Sequence, residues 1–324
     1  MERDMKRRII QYTTVVLAFL AGMIFMTYMT RMGNRDMTGD MAQAQLPVVH
    51  AEQDGVLYNE MHGYVEDMDG ASMRDSVIGV SEDHKVGLAL EKYNAQIKSV
   101  SYEVRSLDMS RLIEGGDDLQ AEDDGKYLHI SLTLKDLLTQ GEEYLLVLKV
   151  QTEDQDLVRF YSILTYLGTN HVQDCVDFAQ RFHEMTLTGD SDGVLNYLEQ
   201  DGSMDGKNLG YINIHSRSGP VTWGDMQVEQ IGDPSLRFTE LESDITALTM
   251  EYQVTNTETS EQYQVREAYR LRYTSTRIYL LAYERWTDKI LEPGRQLVED
   301  GKLSFGIQSS EPVYMKNTEE NVVG

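Results

Sequence analysis

The sequence predicts an α+β chain that is mostly β: an N-terminal transmembrane helix, then a β-sandwich, then a domain of two helices on a curved antiparallel sheet. Three observations predict it. Residues 9–30 carry no charge. Residues 47–168 alternate apolar and polar side chains with period two, as half-buried strands do. At residue 169 the period becomes helical, and beyond residue 209 it returns to two.

The uncharged run 9–30 spans about 33 Å as a helix, enough for a hydrocarbon layer of ~30 Å. Arg3, Lys6, Arg7 and Arg8 precede it and Arg31 and Arg35 follow it. The stronger basic cluster places residues 1–8 in the cytoplasm as a short tail and the bulk of the chain outside the membrane. Ala42-Gln43-Ala44 fits a small-x-small cleavage site. It lies far beyond the apolar run, which is itself longer than the core of a signal peptide, so the reading is an uncleaved single-pass anchor. Residues 31–46 show no apolar periodicity and read as a stalk.

Within 47–168, Val86, Leu88 and Leu90 alternate in KVGLALEKY, Val100, Tyr102 and Val104 in IKSVSYEVRSLD, and Leu128, Ile130, Leu132 and Leu134 in YLHISLTL. EYLLVLKVQT and VRFYSILTYL are denser in apolar residues. Polar turns such as EGGDDLQAEDDG separate the runs, which suggests a sandwich. The stretch 135–144 and the QGEEYLL that ends it resemble the last-hairpin region of immunoglobulin-like and fibronectin-like modules, which implies fold only.

TNHVQDCVDFAQRFHEMTL places Val172, Cys175, Val176, Ala179 and Phe182 on one helix face, with Thr169 or Asn170 as cap. TGDSD breaks this helix, and GVLNYLEQ reads as a short second one. Strands follow at 210–215, 226–231, 243–256, 263–274 and 277–286. AQRFHEMTLTGDSDGVLNYLEQDG resembles the opening of NTF2-like cone folds, with cystatin-like folds as rival. Either likeness implies a domain over 169–292, and the NTF2-like one implies a pocket on the concave face of its sheet. Residues 293–324 read as a tail or the start of a further domain, with KLSFGI as one more strand.

The chain carries 54 acidic against 29 basic residues, a net charge of −25. Such a surface repels polyanions, and no Lys/Arg stripe interleaves with aromatics, so nucleic acid is not an expected partner. The lone Cys175 cannot form an intrachain disulfide and sits on the apolar stripe of the first helix as a core thiol.

Candidate chemistry is sparse. DGSMDG (201–206) supplies Asp201, Ser203, Asp205 and Gly206 in the positions of a calcium loop, but Ile212 stands where the bidentate glutamate belongs. Calcium is therefore at most a weak ligand there, and a polar turn is the plainer reading. Gly189-Asp190-Ser191-Asp192-Gly193 matches G-x-S-x-G in letters but follows a helix, where a nucleophile elbow follows a strand. His183-Glu184 begins H-E-x-x-H, and Leu187 stands at the second histidine, which leaves His183 a packing or rim role. Trp223, in the turn-like SGPVTWGD, is a candidate contact for a partner or sugar, or else a cap over the core, and Trp286 reads as core.

The resulting expectation is a non-enzymatic, single-pass protein with an extracytoplasmic scaffold region that binds another envelope protein or a wall component. Its architecture resembles N-terminally anchored accessory proteins of Gram-positive bacteria. Two alternatives remain open: a small-ligand sensor using the pocket of the second domain, and a wall-glycan hydrolase using paired carboxylates. No cofactor is expected beyond the weak calcium candidate.

Overall fold

The computed structural model describes residues 46–290, except 74–75, 118, 120, 154–156, 170 and 202–208, together with ten residues between 12 and 26 and a few residue pairs beyond 297. Most of the anchor expected at 9–30 and the stalk at 31–46 lie outside the described residues. Among the described residues no helix is long and apolar enough to cross a membrane. Those between 12 and 26 are helical and exposed. From Gln45 onward the chain forms one compact unit.

That unit is mostly β and sandwich-like in its first part. One sheet has the order β2 (Val56–His62), β1 (Val48–Gln53), β4 (Lys85–Glu91), β8 (Tyr127–Thr133), β7 (Ala121–Asp123). The other has the order β3 (Val77–Ser81), β10 (Leu157–Gly168), β9 (Glu143–Thr152), β5 (Ile97–Ser106), β6 (Leu112–Gly116). Only β3 and β10 pair in parallel among these strands; the others are antiparallel. Alternation sets the faces as the sequence predicts: Val86, Leu88, Val100, Val104, Ile130 and Leu132 are all buried. The apolar density of β9 and β10 has a different cause. Residues 63–73 cross their outer face, so Tyr144 through Leu148 are buried on both sides of the strand. Tyr161 fixes this cover, its hydroxyl accepting from the Met68 N–H at 3.1 Å.

A third antiparallel sheet has the order β11 (Tyr211–Asn213), β15 (Ile278–Lys289), β14 (Gln262–Tyr273), β13 (Ile245–Asn256), β12 (Val228–Leu241). Three helices accompany it: α1 (Val172–Thr188), α2 (Ser191–Leu195) and α3 (Ser218–Val221). The expected apolar stripe of α1 is buried, Cys175 included. Its capping differs from expectation. His171 occupies the N-cap without a side-chain bond and stacks on Tyr273, ring centroids 3.5 Å apart, while Asn170 lies outside the described residues. At the other end Gly189 takes the left-handed conformation (φ 77°) that closes the helix. The second helix starts earlier than GVLNYLEQ suggests, because Asp190 caps it by accepting from the Gly193 N–H at 2.9 Å.

The strand expected at 226–231 continues to Leu241 through Gly232, Asp233 and Pro234. Proline is tolerated because β12 is an edge strand and the register slips between Ile231 and Ser235.

The sandwich and the third sheet meet where β12 crosses β2 and β3. Asn59 sits there, fully buried, with φ 52° at the bulge between β1 and β2. Its Nδ2 donates to the Val77 carbonyl at 2.7 Å and its Oδ1 accepts from the Phe238 N–H at 2.6 Å. One amide thus ties β2 to β3 and to β12. Tyr58 packs edge-on against Phe238 beside it, at 5.2 Å.

Candidate functional site

The inner face of the third sheet carries a polar cluster. On β14, Val265, Glu267, Tyr269 and Leu271 alternate inward, so a carboxylate stands in an apolar row. Glu267 is 0 % exposed. Its Oε1 accepts from the hydroxyls of Tyr252 (3.0 Å) and Tyr283 (2.9 Å). Its Oε2 accepts from the Tyr269 hydroxyl (2.6 Å) and faces His183 Nδ1 at 3.1 Å. His183 Nε2 lies 2.7 Å from Gln230 Oε1. Helix α1 is thereby fastened to β13, β14 and β15 through the Glu267 carboxylate and to β12 through Gln230.

Burial alone would lower the His183 pKa, but the hydrogen bond and charge of Glu267 outweigh it and raise it. Burial likewise works against the Glu267 anion, and His183 with Tyr269 and Arg285 holds its carboxyl below the ordinary range. The three tyrosines are pushed well up, first by burial and then by the neighbouring carboxylate. The result is a buried His183–Glu267 pair in which both ring nitrogens and both carboxylate oxygens are engaged by the fold.

Arg285 is also fully buried. Its guanidinium donates to the carbonyls of Val221 (2.7 Å) and Pro220 (2.9 Å), capping the short α3 with a cation. It lies 3.9 Å from the Trp223 ring centroid. Of the two sequence readings of Trp223, partner contact or cap over the core, burial agrees with the cap: the indole is 1 % exposed, with Arg285 over its face. A partner would reach it only by opening this packing. Trp286, expected in the core, is instead half-buried on the opposite face of β15, covered by Arg266 at 4.4 Å and flanked by Tyr211. The strand has its arginine inside and its tryptophan outside.

An open cleft of about 570 Å³ lies on the same part of the chain, lined by Phe178 and Arg181 of α1, residues 196–199, and Arg277 to Leu280 at the start of β15. Arg181, Tyr197, Arg277 and Tyr279 are all exposed. Arg277 lies over the Tyr279 ring at 3.9 Å. Neither arginine makes an ion pair with a described residue.

A second groove, about 720 Å³, runs over the first sheet beside His129. His129 Nδ1 is 2.8 Å from Glu52 and Nε2 is 3.2 Å from Asp124. The bond to Glu52, followed by that to Asp124, raises its pKa. Gly87 lines this groove because a Cβ there would collide with the Glu52 carbonyl oxygen.

Of the calcium candidates, Asp201 is described and lies 3.6 Å from His215 Nδ1, whereas Ser203 and Asp205 lie outside the described residues. Ile212 is buried in β11, opposite Arg285. Among the described residues no group of three or more His, Cys, Asp or Glu is arranged to hold a metal. The Ser191 hydroxyl lies 3.0 Å from that of Thr222.

No protein-family model matches the chain. No curated protein matches it. Among solved structures, it is similar to an engineered protein at 14% identity and TM-score 0.24, over 39% of this chain and 21% of that one, so it spans about a fifth of that protein's length. It is also similar to CopC from Methylosinus trichosporium OB3b at 15% identity and TM-score 0.21, over 32% of this chain and 95% of that one. At these TM-scores neither likeness bears on the reading of the sites.

Proposed function

We propose that the protein is a membrane-anchored, extracytoplasmic interaction module that binds an envelope protein or wall component without catalysis. One observation carries this reading. The groups best suited to acid–base work, His183 and Glu267, are engaged by one another, by three tyrosines and by Gln230, whereas the cleft offers two exposed arginines that make no ion pair with a described residue, beside the partly exposed Tyr197 and Tyr279. The first arrangement suits holding a fold together, and the second suits holding a ligand.

The anchor rests on the uncharged run 9–30 and its basic flank, with the described residues of that run helical and their apolar side chains exposed. Helices against an antiparallel sheet are the order that NTF2-like and cystatin-like folds share, and either would present such a unit outside the membrane on the sandwich. Crosslinking of the tagged full-length protein in intact cells, followed by mass spectrometry, tests the reading. A reproducible envelope protein or wall fragment is expected; a blank across crosslinkers of different reach overturns it.

A second reading, a small-ligand sensor, is favoured by the cleft's volume of about 570 Å³, within the ~300–1,000 Å³ usual for ligand sites. It requires a ligand that raises the melting temperature of the protein in a saturable way.

A further inference from the structure

The cleft lies along a strand edge that the fold leaves open. One side of β15 is paired with β14 from Ile278 to Lys289. On the other side β11 pairs with Glu284 to Trp286, and the Ile214 N–H reaches the Tyr283 carbonyl at 2.9 Å. Residues 278–282 have no strand neighbour on that side among the described residues. Ile278, Tyr279 and Leu280 of this stretch line the cleft.

We propose that an extended, acidic peptide segment of a partner protein docks in this cleft by adding a strand to the open edge of β15. The proposal rests on the interaction reading above and names the chemistry of the partner. An edge of five residues accommodates a strand of about 17 Å, at ~3.3 Å per residue. Main-chain hydrogen bonds to the edge supply affinity without regard to sequence, and the flanking side chains select the occupant. Those side chains are Arg181 and Arg277, with Tyr197 and Tyr279 beside them and Glu199 as the single carboxylate in the lining. Asp177 and Glu184 share the exposed face of α1 with Arg181, and neither is ion-paired to it. In a chain of net charge −25, a cleft whose lining is net positive is a local exception, and it matches carboxylate side chains on the incoming strand.

The test uses the full-length protein in detergent micelles and fluorescence anisotropy of a fluorescein-labelled VEVEV-amide. Saturable binding is expected, weakened about tenfold by Arg181→Ala and by Arg277→Ala, each removing one charge-assisted contact. Both positions are exposed, so unchanged melting temperatures are expected for the two variants. VKVKV-amide and a VEVEV-amide with alternate amides N-methylated are expected not to bind. Absence of VEVEV binding, undiminished binding by the double variant, or equal binding of the N-methylated peptide overturns the proposal. Displacement by free glutarate at the same concentration as VEVEV also overturns it, in favour of a small-anion site.

A photo-crosslinking residue placed at Tyr279, and another at the exposed Leu137 of the sandwich, separates this proposal from the broader one in cells. Adducts from Tyr279 mapping to an acidic stretch of the partner support strand addition. A partner captured from Leu137 alone overturns it while the interaction reading stands, and no adduct from either position removes both.

Discussion

Replacing Glu267 by alanine strips three buried tyrosine hydroxyls of their acceptor and leaves the His183 ring without its buried carboxylate partner. This is expected to cost about 3–5 kcal/mol, the range for breaking a buried ion pair, in denaturant unfolding followed by tryptophan fluorescence. Tyr269→Phe removes one bond and leaves the pair, at about 1–2 kcal/mol. Asn59→Ala leaves the Val77 carbonyl and the Phe238 N–H without their partner and sets alanine at a left-handed φ, for about 2–4 kcal/mol in the same measurement. Asn59→Gly relieves only the backbone, so it is expected to recover part of that loss and not the rest. These residues were only partly readable beforehand. The alternation of YQVREAYRLRYT puts Glu267 in register with Val265, Tyr269 and Leu271, a signal that a charge lies on an apolar face. Asn59 gave no such sign, because its partners are 18 and 179 residues away. The aromatic hierarchy misleads for Trp286 alone: Trp223 is buried as a cap over the core would be, whereas on β15 the inward place goes to Arg285, which caps α3.

At the scale of elements, period two located β4, β5, β8, β13, β14 and β15 within a residue or two at most ends, dense apolar runs located β9 and β10, and the helical stripe located α1. The short strands β6 and β7 lack enough residues to show a period, and the last part of β12 is hidden behind Gly232 and Pro234. The cleft was invisible for a plainer reason. Arg181, Tyr197 and Tyr279 come from a helix, a turn and a strand whose meeting depends on how α1 crosses the sheet. The calcium candidate carries a prediction at this scale. Ile212 is committed to β11 with its side chain in the core, so no carboxylate stands at the twelfth loop position. Melting curves in millimolar calcium and in EDTA are expected to superimpose, and a calcium-dependent rise would reopen the site.

For the whole molecule, stability is expected to respond to pH from both sides. His183 and His129 have raised pKa values, so the stability they contribute is full below the ordinary histidine value and is lost as pH rises through their folded values. Glu267 is depressed, so its contribution is present above the ordinary glutamate value and is lost as pH falls through its folded value. His50, lowered by burial, works the other way and gains stability as pH rises. A melting series is expected to show a maximum in the mildly acidic range, and His183→Gln is expected to flatten the alkaline side relative to its own lower plateau. A parent curve that rises steadily to pH 9 would contradict the His183 assignment.

The Asn59 junction also has a mechanical side. The chain itself links β10 to α1, and beside that covalent link the Asn59 amide and the Tyr58–Phe238 contact join β2 to β12. Separating the sandwich from the third sheet breaks those hydrogen bonds and leaves the covalent link intact. In an optical trap Asn59→Ala is expected to lower the force at which the two part.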